Sequence, residues 1–439
     1  MRKAIETLKN IWKIEDLRQR ILITILFVAI YRFGSYVVLP GINPSMLTQL
    51  HQQTSEGLLA LLNMFSGGAF SNASIFALGI MPYISASIVI QLLGIAVPYF
   101  QKLQREGESG RRKMNQYTRY LTIAILLVQA PSYLLNLKMQ AGPSLNASLD
   151  WTLFMVTSTI ILAAGSMFIL WLGERITENG VGNGISIVLL INIISGMPSD
   201  FATLYSTFVA PRTIAKGVLA AAIIIAILVV MVVLVCFLQD GERRIPVQYS
   251  QKVSGRKTFG GQSTNIPLKV NTAGVMPVIF ASSLMQVPVI IAQLFGKSYE
   301  WTRYLSSSYW CRISAPKYSI GLILYIVLLI IFAYFYTSIT FNPIEVADNL
   351  KKAGGVIPGI TPGKSTSDYL NNILNYIVFV GAVGLLIIAL IPIMCTGFFN
   401  ASVSFGGTSV IIIVGVVLET LKQIESQMVN RYYKGFLSE

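Results

Sequence analysis

Every residue from Asn72 to Ile95 is uncharged, yet the run is studded with Asn72, Ser74, Gly79, Ser85, Ser87, Gln91 and Gly94. A helix needs about 20 mostly apolar residues to cross roughly 30 Å of hydrocarbon, so the run predicts a membrane helix. Its small and hydroxyl side chains predict that one face of that helix is wet. The rest of the chain agrees: of 439 residues, 54% are hydrophobic and only 12% charged, too little polar surface for a water-soluble protein of this length.

Ten stretches meet or approach spanning length: Ile21–Leu39, Asn72–Ile95, Tyr120–Leu137, Thr152–Leu172, Gly184–Ile194, Gly217–Leu238, Asn271–Leu294, Tyr318–Phe341, Ile373–Pro392 and Thr408–Leu421. Ahead of them, Ile5, Leu8 and Trp12 share one face of an amphipathic segment suited to a membrane surface. No small-residue cleavage site follows the first apolar stretch, so no removable signal peptide is expected. Cys236, Cys311 and Cys395 are scattered without metal spacing and read as small packing residues. The net charge of +14 is lopsided, because most of the 33 Lys and Arg fall on the side that holds the N-terminus. By the positive-inside rule both termini then face the cytoplasm.

Ten spans divide into two sets of five, and an odd number in each set starts the second on the opposite side from the first. The expected fold is an all-α polytopic membrane protein: ten transmembrane helices in two pseudo-symmetric, inverted five-helix halves around a central pore. The expected units are an N-terminal segment (1–20), a first half (21–197), a link (198–216), a second half (217–424) and a C-terminal tail (425–439). Between the first two spans, Leu58–Phe65 is apolar but too short to cross, and Ser66-Gly67-Gly68 breaks it. A short apolar helix hinged by glycines beside a spanning helix reads as a re-entrant segment or as a helix lying flat on the outer surface.

The loops 239–270 and 342–368 are longer than topology alone requires and carry Arg243, Arg244, Arg256, Lys257, Lys351, Lys352 and Lys364. They suit a partner with an acidic face, RNA phosphate or protein. Val247–Tyr249 is strand-like and Ser254-Gly255 marks a turn, so the first loop is expected to hold a hairpin.

Several chemistries are excluded. His51 is the only histidine and lies in an outer loop, which removes Ser–His catalysis and His-rich metal sites. Gly359–Ser365 imitates a phosphate loop, but its glycines are one residue too close, and Pro358 and Pro362 lack the N–H groups a phosphate cradle uses. Gly180–Gly184 reads as a tight turn into the fifth span. Ion-coupled transporters place carboxylates or histidines at the membrane midplane, and here the spans hold none before Glu419. Arg32 is the one intramembrane cation, expected to snorkel outward or to pair with backbone carbonyls. No metal and no cofactor is expected. A solute transporter stays open as an alternative, and an intramembrane hydrolase is disfavoured.

What the interior offers instead is hydroxyls, amides and prolines: Pro82, Ser85, Ser87 and Gln91 in the second span, and Asn271, Thr272, Pro277, Ser282, Ser283, Gln286 and Pro288 in the seventh. Such groups make weak polar seams that part and re-form more easily than a leucine seam. Among them Ile80, Ile84 and Ile279 could form a dry constriction.

NMFSGGAFSNASIFALGIMPYISASI (Asn63–Ile88), GESGRRK (Gly107–Lys113), WLGERITENGVGNGISI (Trp171–Ile187), PLKVNTAGVMP (Pro267–Pro277), FNPIEVADNLKK (Phe341–Lys352) and FGGTS (Phe405–Ser409) together resemble the SecY family, the channel-forming subunits of bacterial protein translocons. The resemblance spans the chain from first span to last. It implies a channel in the bacterial cytoplasmic membrane that passes unfolded secretory chains and releases hydrophobic segments sideways into lipid. It places a pore ring at Ile80, Ile84, Ile185, Leu189, Ile279 and Ile412, with Leu189 departing from the family's isoleucine. It places a plug in the 58–70 region, including Leu62, Asn63, Met64, Phe65, Ser66, Gly67 and Gly68. A lateral gate would lie between the second and third spans and the seventh and eighth, with Ser85, Ser87, Gln91, Thr272, Ser282 and Ser283 on its faces. The implied partners are SecE and SecG, the SecA motor ATPase or a ribosome at the basic loops, signal-bearing client polypeptides and membrane lipid. Thr361 stands where the family usually carries arginine, so motor docking is expected to lean on Lys351, Lys352 and Lys364.

Overall fold

Apolar runs at membrane depth can satisfy their own N–H and C=O groups only by forming helices, and the sequence folds accordingly. The computed structural model describes residue 12 and residues 14–43, 63–140, 150–210, 214–249, 252–254, 257–259, 263–294, 300–305, 310–311, 316–399 and 407–434. Ile5, Leu8, His51, Leu62 with the rest of 58–62, and Arg256 lie outside the described residues.

In the first half the helices are α1 (Glu15–Gly34), α2 (Met81–Ala96), the short α3 (Pro98–Arg105), α4 (Glu108–Gln140), α5 (Trp151–Asn179) and α6 (Gly184–Leu204). In the second they are α7 (Ile214–Asp240), α8 (Met276–Leu294), α9 (Ile320–Thr340), the short α10 (Pro343–Lys352), α11 (Lys364–Phe399) and α12 (Gly407–Lys434). Setting aside α3 and α10, each half contributes five long helices. Six helical stretches among the described residues are long and apolar enough to cross a membrane by length and composition. The other long helices are shorter or more polar: α1 carries Arg18, Arg20 and Arg32, and α2 has 16 residues.

α5 is the hub of the first half, packing on α1, α4 and α6, while α2 packs on α4. In the second half α8 packs on α9, α9 on α11, and α11 on both α12 and α7. Among the described residues the halves pack chiefly along α6 against α12 and α4 against α8.

Three sequence expectations change. The run from Asn72 is not helical until Met81: residues 72–80 form turns, with Val38 bridged to Ser74 and bonds from Leu39 N to Ala73 O and Ile75 N to Val37 O, both 2.9 Å. Positive φ at Ala73 (46°) and Gly79 (56°) is incompatible with a continuing α-helix. Such backbone is tolerated at membrane depth because protein surrounds it: Ala73, Ser74, Phe76, Ala77 and Ile80 are all buried. The seventh span likewise begins late, at Met276, after turns over residues 271–275. The link expected over 198–216 is shorter, since α6 continues through Pro198 to Leu204 and a π-helical turn occupies Tyr205–Val209.

The two late starts are related. Gly79-Ile80-Met81-Pro82 and Gly274-Val275-Met276-Pro277 each place a positive-φ glycine (56° and 64°) before a Met-Pro helix start. The match continues in register through Ile84 and Ile279, Ala86 and Ala281, Ser87 and Ser282, and Gln91 and Gln286. This segment repeat makes α2 and α8 counterparts in the two halves.

The hairpin expected in 239–270 is present and larger. β1 (Glu242–Tyr249) pairs antiparallel with β4 (Ser263–Lys269), and β2 (Lys252–Ser254) with β3 (Lys257–Phe259), bracketing the predicted turn. β5 (Gly355–Val356), from the other long loop, adds to β1 through Gln248↔Val356 and Tyr249↔Gly355. Alternation along β1 buries Ile245 and Val247 against Leu268, Leu350, Ile357, Leu370 and Ile373, so the two loops share one small core above α11.

Candidate functional site

Helical spacing aims pairs of aliphatic side chains from α2 and α6 in one direction. Ile80 and Ile84 stand four residues apart at the start of α2, as do Ile185 and Leu189 at the start of α6. To the same cluster α8 supplies Ile279 and α12 supplies Ile412. All six belong to one apolar cluster: Ile80, Ile84, Leu189, Ile279 and Ile412 are buried, and Ile185 is half-buried at its edge. Met64 and Phe65 are buried in the same cluster.

The segment that carries Met64 and Phe65 makes one helical turn over 63–66 and then reverses at Gly67 and Gly68 (φ 65° and 87°). The break expected at Ser66-Gly67-Gly68 is therefore present. Its backbone is held from several helices. Asn192 Nδ2 donates to the Phe65 carbonyl at 2.6 Å, and Arg32 Nη1 to the Gly67 carbonyl at 2.9 Å. Tyr31 Oη donates to Asn192 Oδ1 at 2.7 Å, and Tyr133 Oη to the Phe70 carbonyl at 2.8 Å. From the other half, Ser409 Oγ meets Met64 Sδ at 3.0 Å. Of the two roles open to Arg32, the structure shows pairing with a backbone carbonyl.

The polar residues expected at the seam sit on α2, on α8 and, for Thr272, in the turns before α8, but do not bond across it among the described residues. Ser85 and Ser87 are half-buried on α2, where Gln91 Nε2 donates to Ser87 Oγ at 3.1 Å. Thr272 Oγ1 donates to Lys269 O and Ser282 Oγ to Ile279 O, each three residues back. Ser283 Oγ is buried without a partner. A seam that spends its polar groups locally has no cross-bond to break on parting.

The basic residues gather on the β1–β4–β5 unit and its flanks. Arg243 and Arg244 are exposed on β1, with Arg244 Nε bonded to Glu242 Oε1 at 2.7 Å. Lys351 and Lys352 are exposed in the last turn of α10, and Lys364 is exposed as the first residue of α11. Lys257 opens β3. Thr361 Oγ1 donates to Ser365 Oγ at 2.9 Å, and the Thr361 carbonyl accepts from Thr366 Oγ1 at 3.0 Å, so this loop steadies a helix start.

Sequence reasoning missed Tyr31, Asn192, Ser195, Tyr133 and Ser409. Asn192 was findable, as a lone amide within the apolar Leu189–Ile194 run, where burial without a partner is costly.

The comparisons with known proteins agree with this geometry. The family model described as SecY matches residues 74–421. Protein translocase subunit SecY of Streptomyces galbus is 43% identical over 434 residues, covering 96% of this chain and 97% of that one. The SecY subunit of Halalkalibacterium halodurans is 42% identical over 443 residues, covering 98% and 99%. Among solved structures, a protein-conducting channel aligns with TM-score 0.62 at 17% identity, covering 94% of this chain and 93% of that chain. A SecY whose plug domain is described as stabilising the closed channel and its membrane seal aligns with TM-score 0.63 at 18% identity, covering 94% and 92%. With its aliphatic cluster, its glycine-hinged segment and its sequence matched nearly end to end, the chain belongs to the SecY family.

Proposed function

We infer that this chain is the protein-conducting channel of a translocon: it passes unfolded secretory polypeptides across the membrane and releases hydrophobic segments sideways into the bilayer. The observation that supports the reading is one apolar cluster that takes in Ile80, Ile84, Ile185, Leu189, Ile279 and Ile412 from four helices together with Met64 and Phe65. Aliphatic side chains make no fixed hydrogen-bond demand, so such a ring can close on any sequence while disfavouring a continuous water column. Specificity then comes from partitioning, because a greasy segment gains roughly 25 cal/mol per Å² of apolar area removed from water.

In this reading the six residues are the pore ring and the 58–70 region, of which 63–70 is described, is the plug. The gate is the α4–α8 seam, flanked by α2 and α9. Residues 21–197 and 217–424 are the two halves that part. The chain performs no chemical step and works in the bacterial cytoplasmic membrane with both termini inside, which the concentration of Lys and Arg supports. The shared β1–β4–β5 unit is the docking face for a SecA motor or a ribosome, through Arg243, Arg244, Arg256, Lys257, Lys351, Lys352 and Lys364. Two ribosome-bound relatives share the fold, Sec61 in the canine ribosome–channel complex (TM-score 0.61) and yeast Ssh1 on the 80S ribosome (TM-score 0.56). SecE and SecG are the expected companion subunits.

The deciding experiment is photo-crosslinking of a stalled, signal-bearing chain from a probe at Ile84, with exposed Leu127 on α4 as control. Crosslinking at Ile84 and not at Leu127 places the polypeptide in the ring. Its absence in engaged complexes sinks this path and returns solute transport to consideration.

A further inference from the structure

We propose that Tyr31, Arg32 and Asn192 form a backbone-directed latch that holds the plug in its seat and sets how readily the channel admits a signal sequence. The proposal rests on the plug and ring reading above. Asn192 and Arg32 grip the carbonyls of Phe65 and Gly67 at 2.6 and 2.9 Å, and Ser195 Oγ adds a long contact to Gly67 O at 3.4 Å. These carbonyls lie at the end of the helical turn over residues 63–66, where a cation is favoured. Tyr31 fixes the Asn192 amide through its 2.7 Å bond to Oδ1, leaving Nδ2 aimed at the plug, and both side chains are almost wholly buried.

Gly67 offers an independent observation. A Cβ there would fall 2.6 Å from Asn192 Oδ1 and 2.9 Å from Arg32 Nη1, so the latch occupies the space a side chain would need. Because the grip is on carbonyls, it does not depend on the plug's own side chains.

The latch also senses the ring. Leu189 and Asn192 lie three residues apart on α6, so they share a face, and Ile185 and Ser195 extend that face in both directions. A polypeptide that pushes Leu189 aside moves Asn192 with it. Once the plug leaves, the freed Asn192 amide NH2 is buried without a partner unless water enters, so unlatching is favoured as the pore becomes wet, while the half-buried Arg32 keeps Tyr36 Oη at 3.3 Å. On the other half, the plug meets Ser409 through a thioether, a weak acceptor. The plug is therefore expected to stay with the first half as the halves part.

The test uses the full-length channel in proteoliposomes, reading idle ion conductance, translocation of a chain with an intact signal and translocation of one with a defective signal. Losing one such bond is expected to shift the seated-to-unseated ratio about tenfold. Asn192→Ala and Arg32→Ala should then raise idle conductance and admit the defective signal, while Arg32→Lys should restore both towards the unmutated level. Tyr31→Phe removes only a hydroxyl and should act in the same direction. Oxidative disulfide formation in a Met64→Cys, Ser409→Cys pair should slow when Asn192→Ala is added. Unchanged conductance, stringency and disulfide rate in Asn192→Ala and Arg32→Ala would overturn the latch. Failure of the unmutated channel to move the intact-signal chain would instead overturn the channel reading.

Discussion

At Ile84 and Ile279 the side chain contributes by lacking polar atoms. Both are buried in the ring cluster and occupy matching positions of the Gly-x-Met-Pro repeat. Replacing either with asparagine puts an amide where no partner waits, at a cost of about 1–3 kcal/mol, unless water follows it in. Ile84→Asn is therefore expected to raise idle conductance in planar bilayers and to loosen signal stringency. Conductance and stringency both at the unmutated level would remove the residue from the seal. Gly67 constrains in another way, since φ of 65° and the latch atoms both exclude a Cβ. Gly67→Ala should unseat the plug, costing roughly 1–2 kcal/mol from backbone strain alone, and a closed-level conductance would contradict this. Ile80, Ile84 and Ile279 were suspected from the sequence because they punctuate polar positions. Tyr31 was not, because a tyrosine in a first span reads as ordinary packing until its partner 161 positions away is known.

At the scale of elements, the main lesson is how the chain enters α2. Charge and hydropathy cannot distinguish a helix from a buried irregular segment, since both are uncharged and apolar. The distinction comes from what lies alongside: a Cβ at Gly165 of α5 would fall 2.2 Å from Ile75 O, so α5 approaches this stretch at backbone distance. Gly165→Ala should push the two apart and lower the melting temperature in detergent; an unchanged midpoint would show that the approach has slack. The β1–β4–β5 unit is similar in kind. The sequence showed strand-like character and a turn, but not that two loops a hundred residues apart meet in one sheet. Val247, fully buried on β1, is its keystone. Val247→Asp should weaken motor or ribosome binding while leaving idle conductance intact, whereas unaffected binding would detach docking from the sheet. Thr361→Arg adds a bidentate donor beside Lys364 and is expected to change SecA affinity in a binding titration, with equal affinity counting against a docking role for this loop.

For the whole molecule, two five-helix groups, the first followed by a π-helical turn over Tyr205–Val209, pack along α6–α12 and α4–α8. On the proposed reading, the basic loops of this +14 chain make docking electrostatic, whereas the proposed ring is closed by apolar contact. Raising ionic strength should therefore weaken SecA or ribosome affinity steeply and leave idle conductance unchanged; salt-independent affinity would mean that the basic face is not the contact. By itself the sequence determined that the chain lies in a bilayer, roughly where it crosses and which loops are basic, because each of these follows from local composition and length. It also held the repeat of α2 and α8, which became visible only once the two late helix starts marked the register. Tertiary structure alone decided that residues 72–80 stay non-helical, that Asn192 and Arg32 bond the Phe65 and Gly67 carbonyls, and that two loops share a core. Those outcomes depend on distances between segments remote in the chain, and no local pattern encodes the close approach of one backbone to another.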